Sequence, residues 1–224
     1  MCTVSIVRRG TGFRLVCNRD ERLARPAAEP PRFQRCGAAI AVWPRDPASD
    51  GTWIGASDRG IAMAVLNRNE GQHPVTPHAA LSRGTIVPAL LTIGDFESTV
   101  AAAMGLEAWR FEPFTLLVLQ RRALAVMSNI NGRITNVIHD LTAPVMFTSS
   151  SLGDRVVEGP RRALFASLVD HSGAPLIGQA RFHRHCWPDR REISVLMTRS
   201  DAASVSRTTL VVSEHAIAIR YTPI

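Results

Sequence analysis

Hydrophobic and polar residues alternate with a period of two along 2–8 and again along 13–18, with Gly10-Thr11-Gly12 between them. That pattern predicts an antiparallel hairpin. The same period and a β-branched content predict strands at 38–43, 52–57 and 61–67, the last two joined by a turn at Asp58-Arg59-Gly60. The period then changes: Ser82 is placed to cap a helix ending near Leu91, and Asp95 to cap a second one through Met104. After Pro113, strands are predicted at 114–120, 123–129 and 133–139, with Asn129-Ile130-Asn131-Gly132 as a hairpin turn. Val145-Met146-Phe147 leads through Thr148-Ser149-Ser150-Ser151 to a helix at about 156–169, and segments 192–197, 204–212 and 215–221 read as strands. No repeat and no linker interrupts the chain, so residues 1–224 are expected to form one domain. The order of sheet, helix pair, sheet, helix, sheet predicts an α+β fold with two strand layers between helices.

Composition narrows the partners. The chain has 224 residues, 46% hydrophobic and 20% charged, which excludes a disordered or fibrous protein. Charged residues and Pro/Ser clusters interrupt every apolar stretch well short of the roughly 20 residues that a membrane span needs. The apolar start is followed by Arg8 and Arg9, the reverse of a secretory signal, so a soluble cytoplasmic protein is expected. The formal charge is +7, yet all the basic residues are Arg, they fall in scattered pairs, and there is one Tyr for base stacking. Nucleic acid is therefore not an expected partner. Cys2, Cys17, Cys36 and Cys186 lack the spacing of a zinc site and are expected to be thiols. His183-Arg184-His185-Cys186 reads as a polar loop beside Trp187-Pro188. No phosphate-binding loop, dinucleotide fingerprint or nucleophile elbow occurs, and neither metal nor cofactor is expected.

Cys2 draws attention by its position. Aminopeptidases remove Met1 readily before a small residue, and an exposed Cys2 would carry nucleophile and base together, because an α-amine with a pKa of about 7.7–8.0 is partly unprotonated at neutral pH. A neighbouring cation favours the thiolate. The predicted hairpin delivers Asn18-Arg19-Asp20-Glu21 to the sheet end where Cys2 begins. Arg19 is suited to favour the thiolate and grip an anionic group, and Asp20 to hold the amine or thiol by hydrogen bonding. Trp53 reads as a sheet-packing residue, with a substrate platform as the alternative, and His73 and His78 flank prolines in a loop that could cover a site.

Met1-Cys2, Asn18-Arg19-Asp20-Glu21 with Arg25-Pro26, Gly51-Thr52-Trp53-Ile54-Gly55, Arg59-Gly60, Asn67 and Ser82-Arg83-Gly84 together resemble the NRDE family, also called transport and Golgi organization protein 2-like. Ser206-Arg207-Thr208-Thr209 resembles a later family pattern. The resemblance implies a four-layer αββα N-terminal nucleophile hydrolase-like sandwich. More distantly the chain resembles choloylglycine hydrolases and penicillin V acylases, which begin with a processed Cys and cleave linear amides. Val65-Leu66-Asn67 is similar to their Gly-Leu-Asn segment, which makes Asn67 the candidate oxyanion donor. A second Asn in those acylases is replaced here within Thr148-Ser149-Ser150-Ser151, leaving Ser149 and Ser150, or alternatively Asn129, to serve.

The expected function is an N-terminal cysteine nucleophile amidohydrolase or acyltransferase acting on a small acylated amide or thioester. Cys2, Arg19, Asp20 and Asn67 would carry the chemistry, with Asn18, Glu21, Trp53, Ser149 and Ser150 around the substrate. The alternative, implied by the resemblance, is a non-catalytic carrier of haem, lipid or acyl-coenzyme A on the same fold. The Ser replacement favours binding; the intact Cys2 and tetrad favour catalysis.

Overall fold

The computed structural model describes residues 2–37, 39–69, 81–213 and 216–224. In chain order the elements are β1 (Cys2–Arg9), β2 (Gly12–Arg22), β3 (Glu29–Cys36), β4 (Ala39–Arg45), β5 (Ile54–Ser57), β6 (Ile61–Asn67), α1 (Ile86–Leu91), α2 (Phe96–Met104), β7 (Phe114–Gln120), β8 (Ala123–Ile130), β9 (Arg133–Asp140), β10 (Val145–Thr148), α3 (Asp154–Phe165), α4 (Pro175–Phe182), β11 (Ala202–Val212) and β12 (Ile217–Pro223). Seven strands, β3 to β9, form a meander in sequence order, while β10-β1-β2-β11-β12 form a second antiparallel sheet. The tight turns carry the backbone signature their sequences call for. Gly10 and Gly60 have positive φ, and Asn131-Gly132 have φ of 51° and 75°, as a type I′ hairpin requires.

The two sheets stack on one apolar core. Val4, Ile6, Leu15 and Cys17 of the smaller sheet and Ile54, Met63, Val65 and Leu117 of the larger belong to one buried cluster. Each such side chain, fully buried, contributes about 1.5–3 kcal/mol. α1 packs on β5 and β6, and α2 on β7 and β9. Gly55 makes room for α1, because a Cβ there would lie 2.8 Å from Leu91 Cδ1. On the other side α3 and α4 cover β10 and β1 over a second core of Val7, Met146, Phe165, Val169, Phe182 and Val195. The layers therefore run helix, sheet, sheet, helix. Among the described residues, no helix is long and apolar enough to cross a membrane.

Several elements differ from the sequence reading. β2 continues through Arg22, four residues past the predicted end, because β11 pairs with it out to Ala202↔Arg22. β3 lacks an alternating pattern: it is an edge strand, mostly exposed, and that edge tolerates Pro30 and Pro31. α4, which starts on Pro175, lies in a stretch for which the sequence reading predicts no element. Segment 192–197, expected as a strand, is a single 3₁₀ turn (Arg191–Ile193) followed by irregular chain. Side chains take its carbonyls instead of a ladder: Arg161 donates to the Ile193 and Ser194 oxygens and Asn18 to that of Val195.

Candidate active site

Alternation along β1 and β2 sorts the conspicuous residues. Cys2 pairs with Arg19 across the hairpin and Val4 with Cys17, so Cys2, Cys17, Arg19 and Glu21 share the face toward the larger sheet. Thr3, Asn18 and Asp20 share the opposite face, toward α3 and α4. The tetrad is thus split. Arg19 and Glu21 line a cavity of about 760 Å³ at the end of the stacked sheets, together with Cys2, Trp53 and Asn67. Asn18, Asp20, Ser149, Ser150 and Asn129 do not line it.

Cys2 is almost fully buried. The Cys17 thiol, hydrogen-bonded to it, holds its pKa below the ordinary cysteine value; the Arg19 charge acts in the same sense, and burial and the Asp20 charge oppose both. Burial pushes the Cys17 thiol well up, so of the two sulfurs Cys17 keeps its proton. The Cys2 backbone N–H donates to Ser149 Oγ at 3.1 Å, and the Ser149 N–H donates to the Cys2 carbonyl at 2.9 Å. Ser149, the residue after β10, therefore holds the backbone of the nucleophile candidate.

Arg19 is fixed on three sides. Its guanidinium lies 4.4 Å from the Trp53 ring centroid, and its Nη2 donates to Asp46 Oδ2 at 2.9 Å and Glu21 Oε2 at 3.3 Å. Arg25 donates to the same Asp46 oxygen through Nη2 and Nε, at 2.7 and 3.0 Å. Burial raises the Asp46 pKa, but the Arg25 hydrogen bond, the Arg19 charge and the Ala48 N–H outweigh it, and the carboxyl stays below its usual range. Asp46 is a site residue that the sequence reading passed over. The signal it left is slight, one acid after Trp43-Pro44-Arg45 at the end of a strand. Asn67 ends β6, half-buried, on the cavity wall.

The residues turned away build the floor. Asp20 Oδ1 accepts from Ser204 Oγ at 2.6 Å; burial raises its pKa, opposed by the Arg161 charge and the Ser204 hydrogen bond. Asn18 is fully buried and donates to the carbonyls of His183 and Val195. Its Oδ1 lies 3.2 Å from His183 Nδ1, and His183 Nε2 lies 2.7 Å from Ser5 Oγ, which accepts from Gln179. Asn18 Oδ1 can only accept, so this network assigns the proton to Nδ1, and Ser5 donates to Nε2. His183, expected in a polar loop, is thus a core residue whose pKa burial lowers to about 3. Ser150 Oγ accepts from Arg199 Nη2 at 2.9 Å, and its N–H donates to Asp154. Asn129 donates to the carbonyls of Ala108 and Phe111, anchoring the loop before β7. His73 and His78 lie outside the described residues.

A helix–sheet–sheet–helix sandwich with a cysteine at the head of its first inner strand defines an N-terminal nucleophile hydrolase fold. In structure the chain is similar to the Caenorhabditis elegans ortholog of N-acylethanolamine-hydrolyzing acid amidase (TM-score 0.64, 12% identity, 94% of this chain and 92% of that one). It is also similar to penicillin V acylase from Agrobacterium tumefaciens (0.52, 16%, 100% and 84%) and to the C2A mutant of conjugated bile acid hydrolase from Clostridium perfringens (0.54, 10%, 100% and 92%). The chain belongs to the Transport and Golgi organisation 2 family, whose model matches residues 1–173, and this bears out the NRDE resemblance. No curated protein matches its sequence.

Proposed function

We propose that this protein is an N-terminal cysteine nucleophile amidohydrolase or acyltransferase for a small polar amide or thioester. The observation that carries the reading is the placement of Cys2. The residue borders the cavity, its thiol has a lowered pKa, and its nitrogen, which becomes the α-amine once Met1 is removed, is held by Ser149 Oγ.

In the proposed reaction the amine accepts the Sγ proton as sulfur attacks the acyl carbon. The negative charge moves to the carbonyl oxygen, where Asn67 donates to it. The ammonium then returns the proton to the leaving nitrogen or sulfur, the bond to it breaks, and an acyl thioester on Cys2 remains. Water or a second amine, deprotonated by the same α-amine, releases the acyl group. Arg19, pinned by Trp53 and Asp46, holds a positive charge beside the sulfur, and Asp20 acts from beneath β2 on the strand end that carries the amine.

The carrier alternative draws on the serines: Ser149 is engaged with Cys2 and Ser150 with Arg199, so neither offers the free amide donor of the acylases. Against a haem or lipid cargo stands the cavity itself, whose wall is mostly Arg, Asp, Glu, Asn, Ser and Thr. An acyl chain or porphyrin gains little there. The test is intact mass together with turnover of small N-acyl amides and acyl thioesters. Loss of Met1, and loss of turnover in a folded Cys2→Ala protein, support the reading. Retained Met1 with surviving activity overturns it.

A further inference from the structure

Gly51 and Gly84 allow two segments to touch: a Cβ on Gly51 would lie 2.4 Å from the Gly84 carbonyl carbon and oxygen, and Thr52 N–H donates to that oxygen at 2.9 Å. Ser82 Oγ accepts from the Gly84 N–H. This clamp carries Arg83, between them, onto the wall of the Cys2 cavity. Arg19 and Arg25 are already committed to Asp46 and Glu21. Arg83 differs. Its one hydrogen bond among the described residues runs from Nη1 to the Pro113 carbonyl at 2.9 Å, and no described carboxylate forms an ion pair with it. A half-buried guanidinium with most of its five donors unspent is a costly arrangement without a ligand.

We propose that Arg83 anchors a carboxylate on the substrate, so that the site takes small N-acyl amides bearing a free carboxylate, of the N-acyl amino acid class. This rests on the assignment of Cys2 as nucleophile, since it places the anchor and the scissile bond in one cavity. The planar fork of a guanidinium matches a carboxylate through two parallel hydrogen bonds. A phosphate or a polyanionic coenzyme fits less well. The wall sets Arg19, Arg22, Arg25 and Arg83 against Glu21, Asp46, Glu112 and Asp201, an even balance that gives a dianion no net attraction; of the two guanidiniums without a described ion pair, Arg22 is exposed and Arg83 half-buried, so Arg83 is the one that gains most from a monoanion. Burial lowers the pKa of Arg83 while the Glu112 charge raises it, and a guanidinium remains charged throughout.

Binding is read by ligand-detected NMR on the full-length Cys2→Ala chain, which cannot turn its ligand over. The probes are N-acetylglycine, N-acetyl-β-alanine and N-acetyl-4-aminobutyrate, each against its neutral carboxamide, so that three reaches from acyl group to carboxylate are covered. At least one acid is expected to bind about 10-fold or more tighter than its amide, the preference to fall within about twofold in Cys2→Ala/Arg83→Gln, and to return in part with Arg83→Lys. Equal binding within all three pairs, a preference that survives Arg83→Gln, or inorganic phosphate binding more tightly than every acid overturns the proposal. If Arg83→Gln does not fold, the paired comparison on the Arg83 protein decides alone. A carboxylate preference that vanishes with Arg83, in a chain that hydrolyses no amide, would keep the anchor and reject the nucleophile.

Discussion

Asn67 and the four cysteines are where the chemistry can be tested one side chain at a time. An oxyanion donor acts on charge that exists only in the transition state, so Asn67→Ala is expected to lower kcat by roughly 10²–10³ with KM little changed. Steady-state kinetics separate this from a turn-stabilising role, which would change stability and leave turnover per folded molecule intact. For the thiols, limiting iodoacetamide at pH 6.5–7 is expected to label Cys2 at least about ten times faster than Cys17, Cys36 or Cys186, and Arg19→Leu to slow it. Peptide mass mapping reads both, and uniform labelling would count against an activated Cys2. Cys2, Arg19 and Asn67 were legible because strand ends and a chain start are linear features. As site residues Asp46 and Arg83 were not, although Arg83 stands in the quoted Ser82-Arg83-Gly84 motif: each takes its place only through a partner distant in sequence, Arg19 and Arg25 for the first, and the Gly51–Gly84 contact for the second.

At the scale of elements, the hairpins and the Asp95 cap were readable because their determinants are local. Asp95 Oδ1 accepts from the Ser98 N–H at 2.8 Å, and Asn131-Gly132 take the φ values their side chains allow. β3 was missed and segment 192–197 misread, for opposite reasons. The first is a strand whose edge position removes the alternation, and the second is an apolar run whose backbone is claimed by Arg161 and Asn18. The tetrad shows the same dependence, since pairing with β1 at Asn18 and Arg19, continued by β11 through Asp20 and Glu21, keeps it extended and splits it between cavity and floor. The Gly51–Gly84 clamp gives an element-scale prediction. Gly51→Ala must drive a Cβ into backbone that has no rotamer to yield, so a loss of about 1–3 kcal/mol is expected, with weaker substrate binding as Arg83 is displaced. Urea unfolding measures the first effect, and an unchanged midpoint would show that the two segments part at no cost.

Across the whole molecule, the buried network centred on His183 joins α4, the irregular chain before β11, and the β1–β2 hairpin that bears Cys2 and Arg19. Its pKa is lowered from 6.5 to about 3 by burial, with the charges of Arg207, Arg14 and Arg161 adding to the effect. Between those two values the unfolded chain binds a proton that the folded chain does not. Stability must therefore rise with pH across this window and fall as pH drops from about 6.5 toward 3, with a slope approaching ~1.4 kcal/mol per pH unit from this group. Carboxyls titrate in the lower part of the same window. Asp46, held low, adds to the acid loss, while Asp20, raised by burial, opposes it. The contribution of His183 is isolated by comparing urea unfolding of the protein and of His183→Gln between pH 4.5 and 7.5. The variant is expected to be the less stable of the two at pH 7.5, because Ser5 and Asn18 lose their ring partner, and the gap is expected to close as the pH is lowered. A gap that stays constant across that range would mean that the imidazole titrates alike in the folded and unfolded states, and a gap that widens as the pH falls would mean that it is held protonated in the folded state; either result removes the assignment of a neutral, Nδ1-protonated ring beneath the strand that bears Cys2.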